Sequence, residues 1–394
     1  MTKKTMITIP YARQEINEAD IDAVVSVLKS EFLTQGSIVS AFEKSVADYC
    51  DAKHAISVNS ATSALHIACL ALGVGKGDIV WTSPITFVAS ANCALYCGAE
   101  IDFVDIDPYT YNLSVECLSK KLELAEKNGK LPKVLIPVHL CGQSPDMASI
   151  YALSKKYGFK IIEDASHAIG GKYKGELIGN CRYSHITVFS FHPVKIITTG
   201  EGGMLLTNQS SICKSISLFR SHGITSERAD MLQKPAKEIW NYQQIELGFN
   251  YRMSDIHAAL GLSQMKRLDE FVTKRHIIAN NYDQLLSNLP IFTPFQNKDS
   301  YSSYHLYLIR LKLHEITKSQ KQVYEDLRNN GIMVNLHYIP VYRQPYYKRK
   351  GFKVGYCPNA ESYFSEVLTL PMYPALEKTE QDHVIKILSK VLEK

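Results

Sequence analysis

The stretch Met147-Ala148-Ser149-Ile150-Tyr151-Ala152-Leu153-Ser154-Lys155-Lys156-Tyr157-Gly158-Phe159-Lys160-Ile161-Ile162-Glu163-Asp164-Ala165 decides the class of this fold. Met147 to Tyr157 reads as a helix, Gly158 stops it, and Lys160 to Ala165 follows as an apolar strand. The apolar run Lys133 to Leu140 precedes the helix as another strand. Strand, helix and strand in succession predict a parallel pair with the helix packed across one face.

The alternation continues in both directions. Ala55 to Ser60, Asp78 to Pro84 and Glu100 to Asp107 read as strands upstream, and His185 to Phe191 and Gly203 to Asn208 downstream. Helices are predicted over Ser63 to Leu72 and Phe87 to Cys97, each again followed by a glycine. The result is an α/β chain on a seven-stranded, mostly parallel sheet, and such sheets bind ligands beyond the carboxyl ends of their strands. After Asn208 the pattern turns helical: Ser254 to Leu286 reads as one long connecting helix. A strand over Tyr304 to Leu313 and helices over Lys318 to Asn329 and Glu380 to Leu392 follow, the makings of a small α/β domain. The expected division is a large domain over 1–253 and a connecting helix with the small domain over 254–394.

A chain of 394 residues, 45% hydrophobic and 21% charged, is too large for a single small module and has no composition of disorder. The net charge of +5 is mild, and no Lys/Arg run forms a nucleic-acid footprint, but the sign suits an anionic small substrate. No apolar run reaches the roughly 18 residues of a membrane span. The opening Met1-Thr2-Lys3-Lys4-Thr5 lacks a signal peptide's apolar core, so a cytoplasmic protein is expected. Nine cysteines without a CxxC pair argue against a disulfide framework or zinc knuckle. Cys93 and Cys97 read as small buried hydrophobes. The 13 histidines show no HExxH spacing, so no metal is expected. Gly73-Val74-Gly75-Lys76-Gly77-Asp78 lies between a helix and a strand, the wrong order for a phosphate loop, and reads as a turn.

Three elements carry chemistry. In Ser190-Phe191-His192-Pro193-Val194-Lys195-Ile196-Ile197-Thr198-Thr199-Gly200-Glu201-Gly202-Gly203, one lysine follows the end of a strand and precedes a glycine-rich turn. Desolvation there lowers a lysine's pKa and makes it a nucleophile toward carbonyls, although an isolated loop lysine is more often merely solvated. Asp164 ends an apolar strand, where a buried carboxylate needs a cationic partner such as a protonated pyridine nitrogen. A helix cap or loop carboxylate reads equally well from that fragment alone. Glu163 faces the other side of the strand and is expected to be structural. In Val58-Asn59-Ser60-Ala61-Thr62-Ser63-Ala64-Leu65-His66 a strand gives way to a helix through hydroxyl residues. Free N–H groups with Thr62 and Ser63 suit a phosphate there, as an ordinary cap also would.

Together these segments resemble the fold-type I pyridoxal-phosphate enzymes, and within them the DegT/DnrJ/StrS family of sugar aminotransferases. Leu33-Thr34-Gln35-Gly36, Asn59 to Leu65, Pro84-Ile85-Thr86-Phe87-Val88-Ala89, Glu163 to Gly170, Ser190 to Gly203, Gly248-Phe249-Asn250-Tyr251-Arg252-Met253 and His337-Tyr338-Ile339-Pro340 carry the resemblance across nearly the whole chain. It implies pyridoxal 5'-phosphate as cofactor, bound by Lys195 as a Schiff base, with Asp164 on the pyridine nitrogen and Phe87 on the ring face. It further implies phosphate contacts from Thr62, Ser63, Ser190 and, across a homodimer interface, Asn250. His167 takes the ring-hydroxyl side, and His337 and Tyr338 touch the substrate. Some family members carry histidine in place of the lysine and act as sugar dehydratases; Lys195 favours transamination.

The subgroup resembled, through Ile197-Thr198-Thr199 and Leu218-Phe219-Arg220-Ser221-His222-Gly223 among others, serves pseudaminic acid biosynthesis. Its members aminate C4 of UDP-2-acetamido-2,6-dideoxy-β-L-arabino-hex-4-ulose with L-glutamate as donor. The resemblance leaves open another UDP- or dTDP-linked keto-sugar, with pocket shape set by Trp240 to Leu247 and Tyr338 to Lys350. A non-catalytic regulator of the same fold is the other alternative.

Overall fold

A computed structural model of the chain describes residues 8–232 and 241–393. Its central sheet has seven strands: β1 (His54–Val58), β2 (Ile79–Thr82), β3 (Glu100–Phe103), β4 (Val134–Ile136), β5 (Lys160–Asp164), β6 (Ile186–Ser190) and β7 (Gly203–Thr207). Their spatial order is β1-β7-β6-β5-β4-β2-β3. Every neighbouring pair from β6 to β3 is parallel, and β7 runs antiparallel to both β1 and β6. β4, β6 and β7 are buried at every position, which is why their sequences are continuous apolar runs rather than alternating ones. Fully buried Ile136, Ile162 and Val188 each contribute roughly 1.5–3 kcal/mol of hydrophobic stabilisation.

Several strands are shorter than the apolar runs that announce them. Burial, not pairing, makes a run apolar: beyond β4, Val138 and His139 are still buried, but the chain has turned toward a short 3-10 segment at Leu140–Gly142. The flanking helices are α1 (Ala61–Ala71), α2 (Ala89–Tyr96), α3 (Val115–Lys127) and α4 (Met147–Tyr157). α4 keeps its expected bounds, with the Asp146 carboxylate accepting from Ser149 N–H at its start and Gly158 in the left-handed region at its end. α1 begins at Ala61, upstream of the expected Ser63, because Ser60 is the residue that caps it.

The long helix expected over Ser254 to Leu286 is two, α5 (Asp255–Met265) and α6 (Leu268–Leu285). At the break, the Arg267 guanidinium meets Asp20 at 2.6 Å and Glu15 at 3.4 Å, tying the N-terminal arm to the junction. Beyond it, β8 (Ile291–Phe292), β9 (Tyr307–Leu311) and β10 (Val367–Leu370) form an antiparallel sheet. α7 (Gln320–Asn329) and α8 (Lys378–Leu392) share its apolar core. The strand begins at Tyr307 rather than Tyr304 because the carbonyls of Tyr304 and His305 are taken by buried Arg275 on α6, each at 3.1 Å. Tyr342, Tyr347 and Tyr363 pack into the core of the central sheet, so C-terminal backbone closes over its strand ends.

Candidate active site

Three chain crossings meet at the carboxyl ends of the parallel strands. β5 delivers Asp164, β6 delivers Ser190 and the turn after it Lys195, and the step from β1 into α1 delivers Thr62. They line one cavity of about 490 Å³ together with Phe87, His167, His337 and Tyr338. Eight of the residues singled out from the sequence thus share a single space.

Lys195 stands where burial lowers its pKa to about 8, with the Asp164 charge pulling the other way. An amine so placed has a substantial neutral fraction near neutral pH, which a nucleophile requires. Asp164 is buried, and its Oδ1 accepts from the Ser166 hydroxyl at 2.6 Å and the Ser166 N–H at 3.2 Å. Glu163 points to the opposite face, where its carboxylate meets His139 Nε2 at 2.9 Å and the Thr187 hydroxyl at 3.0 Å. Burial pushes its pKa up, but those contacts outweigh it and hold the group below the usual carboxylate range.

At the start of α1 the Ser60 hydroxyl accepts from Ser63 N–H at 3.1 Å, and Ala61 and Thr62, the first two helical residues, line the cavity with N–H groups that no helical carbonyl takes up. Gly203, first residue of β7, makes this approach possible: a Cβ there would lie 2.6 Å from Ala61 N. Two open N–H groups at a helix N-terminus, with the Thr62 and Ser190 hydroxyls on the same cavity wall, form an anion cradle. Phe87 is 59% exposed on the wall, a flat apolar face that a planar ring would cover. One cavity that holds a helix-start cradle, a buried carboxylate and a depressed amine has the donor set that a phosphorylated pyridine aldehyde requires.

His167 is neutral, its pKa driven well down by burial and then by the Lys195 charge. Its Nδ1 accepts from Cys141 N–H at 3.3 Å, so Nε2 carries the proton and donates to the Tyr338 hydroxyl 3.2 Å away. Tyr338 is thereby left with its own O–H to donate into the cavity. His337, lowered to about 3 by burial and by Lys195, has Nδ1 2.8 Å from the Thr369 hydroxyl.

Two expected residues lie elsewhere. The Ser63 side chain turns inward, donating to Asn59 Oδ1 at 2.7 Å, because the residue one turn into the helix faces the core. Asn250 is exposed outside the cavity, bridged through its backbone to Ser221. Trp240, one end of a loop expected to shape the pocket, lies outside the described residues. Cys97 is partly exposed rather than buried, and its pKa falls to about 6 beside Cys69. Conversely, Tyr11, Thr86, Ser166, His305, Asn335 and Gln344 line the cavity without having stood out. Thr86 and Ser166 sit within segments that carried the resemblance, and Gln344 within the Tyr338 to Lys350 loop expected to shape the pocket. For His305, whose Nδ1 has no partner among the described residues, the sequence holds no signal at all.

The chain is 39% identical over 98% of its length, and 98% of the relative's, to the UDP-4-amino-4,6-dideoxy-N-acetyl-beta-L-altrosamine transaminase of Campylobacter jejuni. Its structure superposes with a TM-score of 0.88 and 31% identity on Helicobacter pylori PseC, an aminotransferase involved in the biosynthesis of pseudoaminic acid, covering 98% of this chain and 99% of that one. A sugar aminotransferase from Streptococcus pneumoniae, described as putative and solved in its PLP form, matches at a TM-score of 0.86 and 28% identity over 98% of each chain. Among the described residues no helix is long and apolar enough to cross a membrane. The match of residues 14–389 to the family profile agrees with the strand-end placement of Lys195 and Asp164: the chain belongs to the DegT/DnrJ/EryC1/StrS aminotransferase family.

Proposed function

We propose that the protein uses pyridoxal 5'-phosphate to move an amino group from L-glutamate to C4 of a UDP-linked 4-keto-6-deoxy sugar. The specific substrate proposed is UDP-2-acetamido-2,6-dideoxy-β-L-arabino-hex-4-ulose, and the product UDP-4-amino-4,6-dideoxy-N-acetyl-β-L-altrosamine. The observation that carries this reading is the single cavity in which a pKa-depressed lysine and a buried aspartate stand beside an open helix N-terminus. The similarity to the Campylobacter jejuni transaminase supports the choice of sugar.

When bound, the cofactor supplies an electron-withdrawing ring that stabilises negative charge at the reacting carbon. The chain does the rest. Lys195 would hold the cofactor covalently at rest; once displaced, its free amine would take the proton from the donor's α-carbon and deliver it to the cofactor carbon that had carried the link, work suited to an amine near pKa 8. Asp164 would pair with the pyridine nitrogen, while Thr62, Ser190 and the start of α1 would hold the phosphate. Phe87 would cover the ring, and the His167–Tyr338 pair would present one O–H to a polar oxygen. His337 and Tyr338 contact the sugar. Asn250, exposed away from its own cleft, serves the phosphate of a second copy, so the working unit is a homodimer in the cytoplasm.

The test is incubation of the purified protein with pyridoxal phosphate, L-glutamate and a panel of UDP- and dTDP-linked keto-sugars, scored by product mass and amino stereochemistry. Amination of the UDP-4-keto substrate with the altro product is expected. Activity confined to a dTDP sugar would overturn the substrate, and no amination together with no cofactor uptake would overturn the whole reading.

A further inference from the structure

Asp164 is held from a second side by residues outside its own segment. Ser90 Oγ, on α2 and fully buried, lies 2.5 Å from Asp164 Oδ2. Thr86 Oγ1 lies 2.7 Å from Ser90 Oγ. The direction of this chain is determined by chemistry. A carboxylate that takes two hydrogen bonds from Ser166 on Oδ1 is an acceptor, so the Ser90 hydroxyl gives its proton to Oδ2. Ser90 then has only lone pairs to offer Thr86, and Thr86 must donate to it. The relay runs Thr86 to Ser90 to Asp164, entirely among buried groups.

The relay also couples two parts of the site. Thr86 and Ser90 flank Phe87, whose ring lies exposed on the cavity wall. Oδ1 has two donors and Oδ2 one, so Oδ2 keeps the greater acceptor capacity. Without Ser90 the carboxylate would be held through Oδ1 alone, by Ser166, leaving Oδ2 with no donor from the protein and the segment bearing Phe87 without its tether to Asp164.

We infer that Ser90 and Thr86 are positioning residues that lock the Asp164 carboxylate so that Oδ2 meets the cofactor's ring nitrogen, and that they tie the ring-covering Phe87 to the same point. This rests on the cofactor reading above. Loss of one hydrogen bond to a charged group amounts to roughly a tenfold effect or more.

The experiment compares wild type, Ser90→Ala, Thr86→Val and Lys195→Ala after loading with pyridoxal phosphate. It measures the cofactor dissociation constant and the pH titration of the visible absorbance band. Ser90→Ala should bind cofactor about tenfold more weakly, with the band titrating about one pH unit higher. The upward sign follows because a slack carboxylate leaves less positive charge on the ring, so the attached Lys195 nitrogen keeps its proton to higher pH. Thr86→Val should shift both in the same direction by less. Unchanged binding and titration in Ser90→Ala would overturn the inference, because a merely structural role lowers the melting temperature without moving the titration. Should Ser90→Ala not fold, Thr86→Val decides by the same readout. A wild type that takes up no cofactor, or a Lys195→Ala variant that keeps the band, would instead sink the underlying reading.

Discussion

Asp164, Ser190 and Lys195 stand at or just past the carboxyl ends of β5 and β6, whereas His305, Asn335, His337 and Tyr338 reach the same cavity from irregular backbone after α6. On the first wall, side-chain direction follows from the strand ladder: Glu163 and Asp164 point to opposite faces because successive residues in a strand must. The second wall is held by long-range contacts. Arg275 binds the carbonyls of Tyr304, His305 and Met372, each at 3.1 Å, and the Tyr363 hydroxyl donates to the His337 carbonyl at 2.6 Å. The strand wall carries the charged groups of the proposed chemistry, and the opposite wall offers neutral imidazoles and amides suited to choosing a substrate.

Substitutions that separate the walls test this division. Lys195→Ala should lower turnover by at least about 10⁴-fold, as loss of a covalent anchor and proton carrier does. Rates within tenfold of wild type would remove Lys195 from the chemistry. Asp164→Ala should cost on the order of 10²–10³ in kcat, with the sugar KM little changed; a purely KM effect would move Asp164 to the binding side of the comparison.

The second wall should reveal itself through acid stability. Burial lowers the pKa of His305 and His337, the latter to about 3. Unfolded histidines take up protons below pH about 6.5. Because the folded values are depressed, the stability these groups confer is complete above that pH and is lost as pH falls toward 3. The slope is about 1.4 kcal/mol per pH unit for each histidine. Urea unfolding of cofactor-free protein at several pH values measures it, and replacing His337 with Asn should flatten the curve. A slope unaffected by that change would contradict the neutral-histidine description. The smallest effect expected is that of His337→Ala on catalysis: a rise in sugar KM of about tenfold, the loss of roughly one hydrogen bond. The half-reaction with glutamate should stay near wild type; equal damage to both halves would erase the distinction between the walls.

Much of the strand wall was legible beforehand. Ile161-Ile162-Glu163-Asp164 announces a buried strand ending in a carboxylate, and the lysine after Pro193 stands out by its glycine-rich surroundings. The cap of α1 was less so, since Ser60, Thr62 and Ser63 are chemically equivalent caps on paper. Only the approach of Ser60 Oγ to Ser63 N–H selects the first and turns Ser63 away from the cavity. The break between α5 and α6 was invisible because apolar periodicity continues through it. The contact made at the break, Arg267 with Asp20, joins residues 247 positions apart in the chain.

Sequence alone determined the α/β class, the seven strands, and the lysine and aspartate at strand ends, because apolar runs, glycine stops and strand alternation are short-range properties. Tertiary structure decided that Ser90 bonds an aspartate 74 positions away, that His305 lines the cavity, and that the proton of His167 faces Tyr338. Those outcomes depend on which polar groups lose water together when distant segments pack, and local pattern carries no record of that choice.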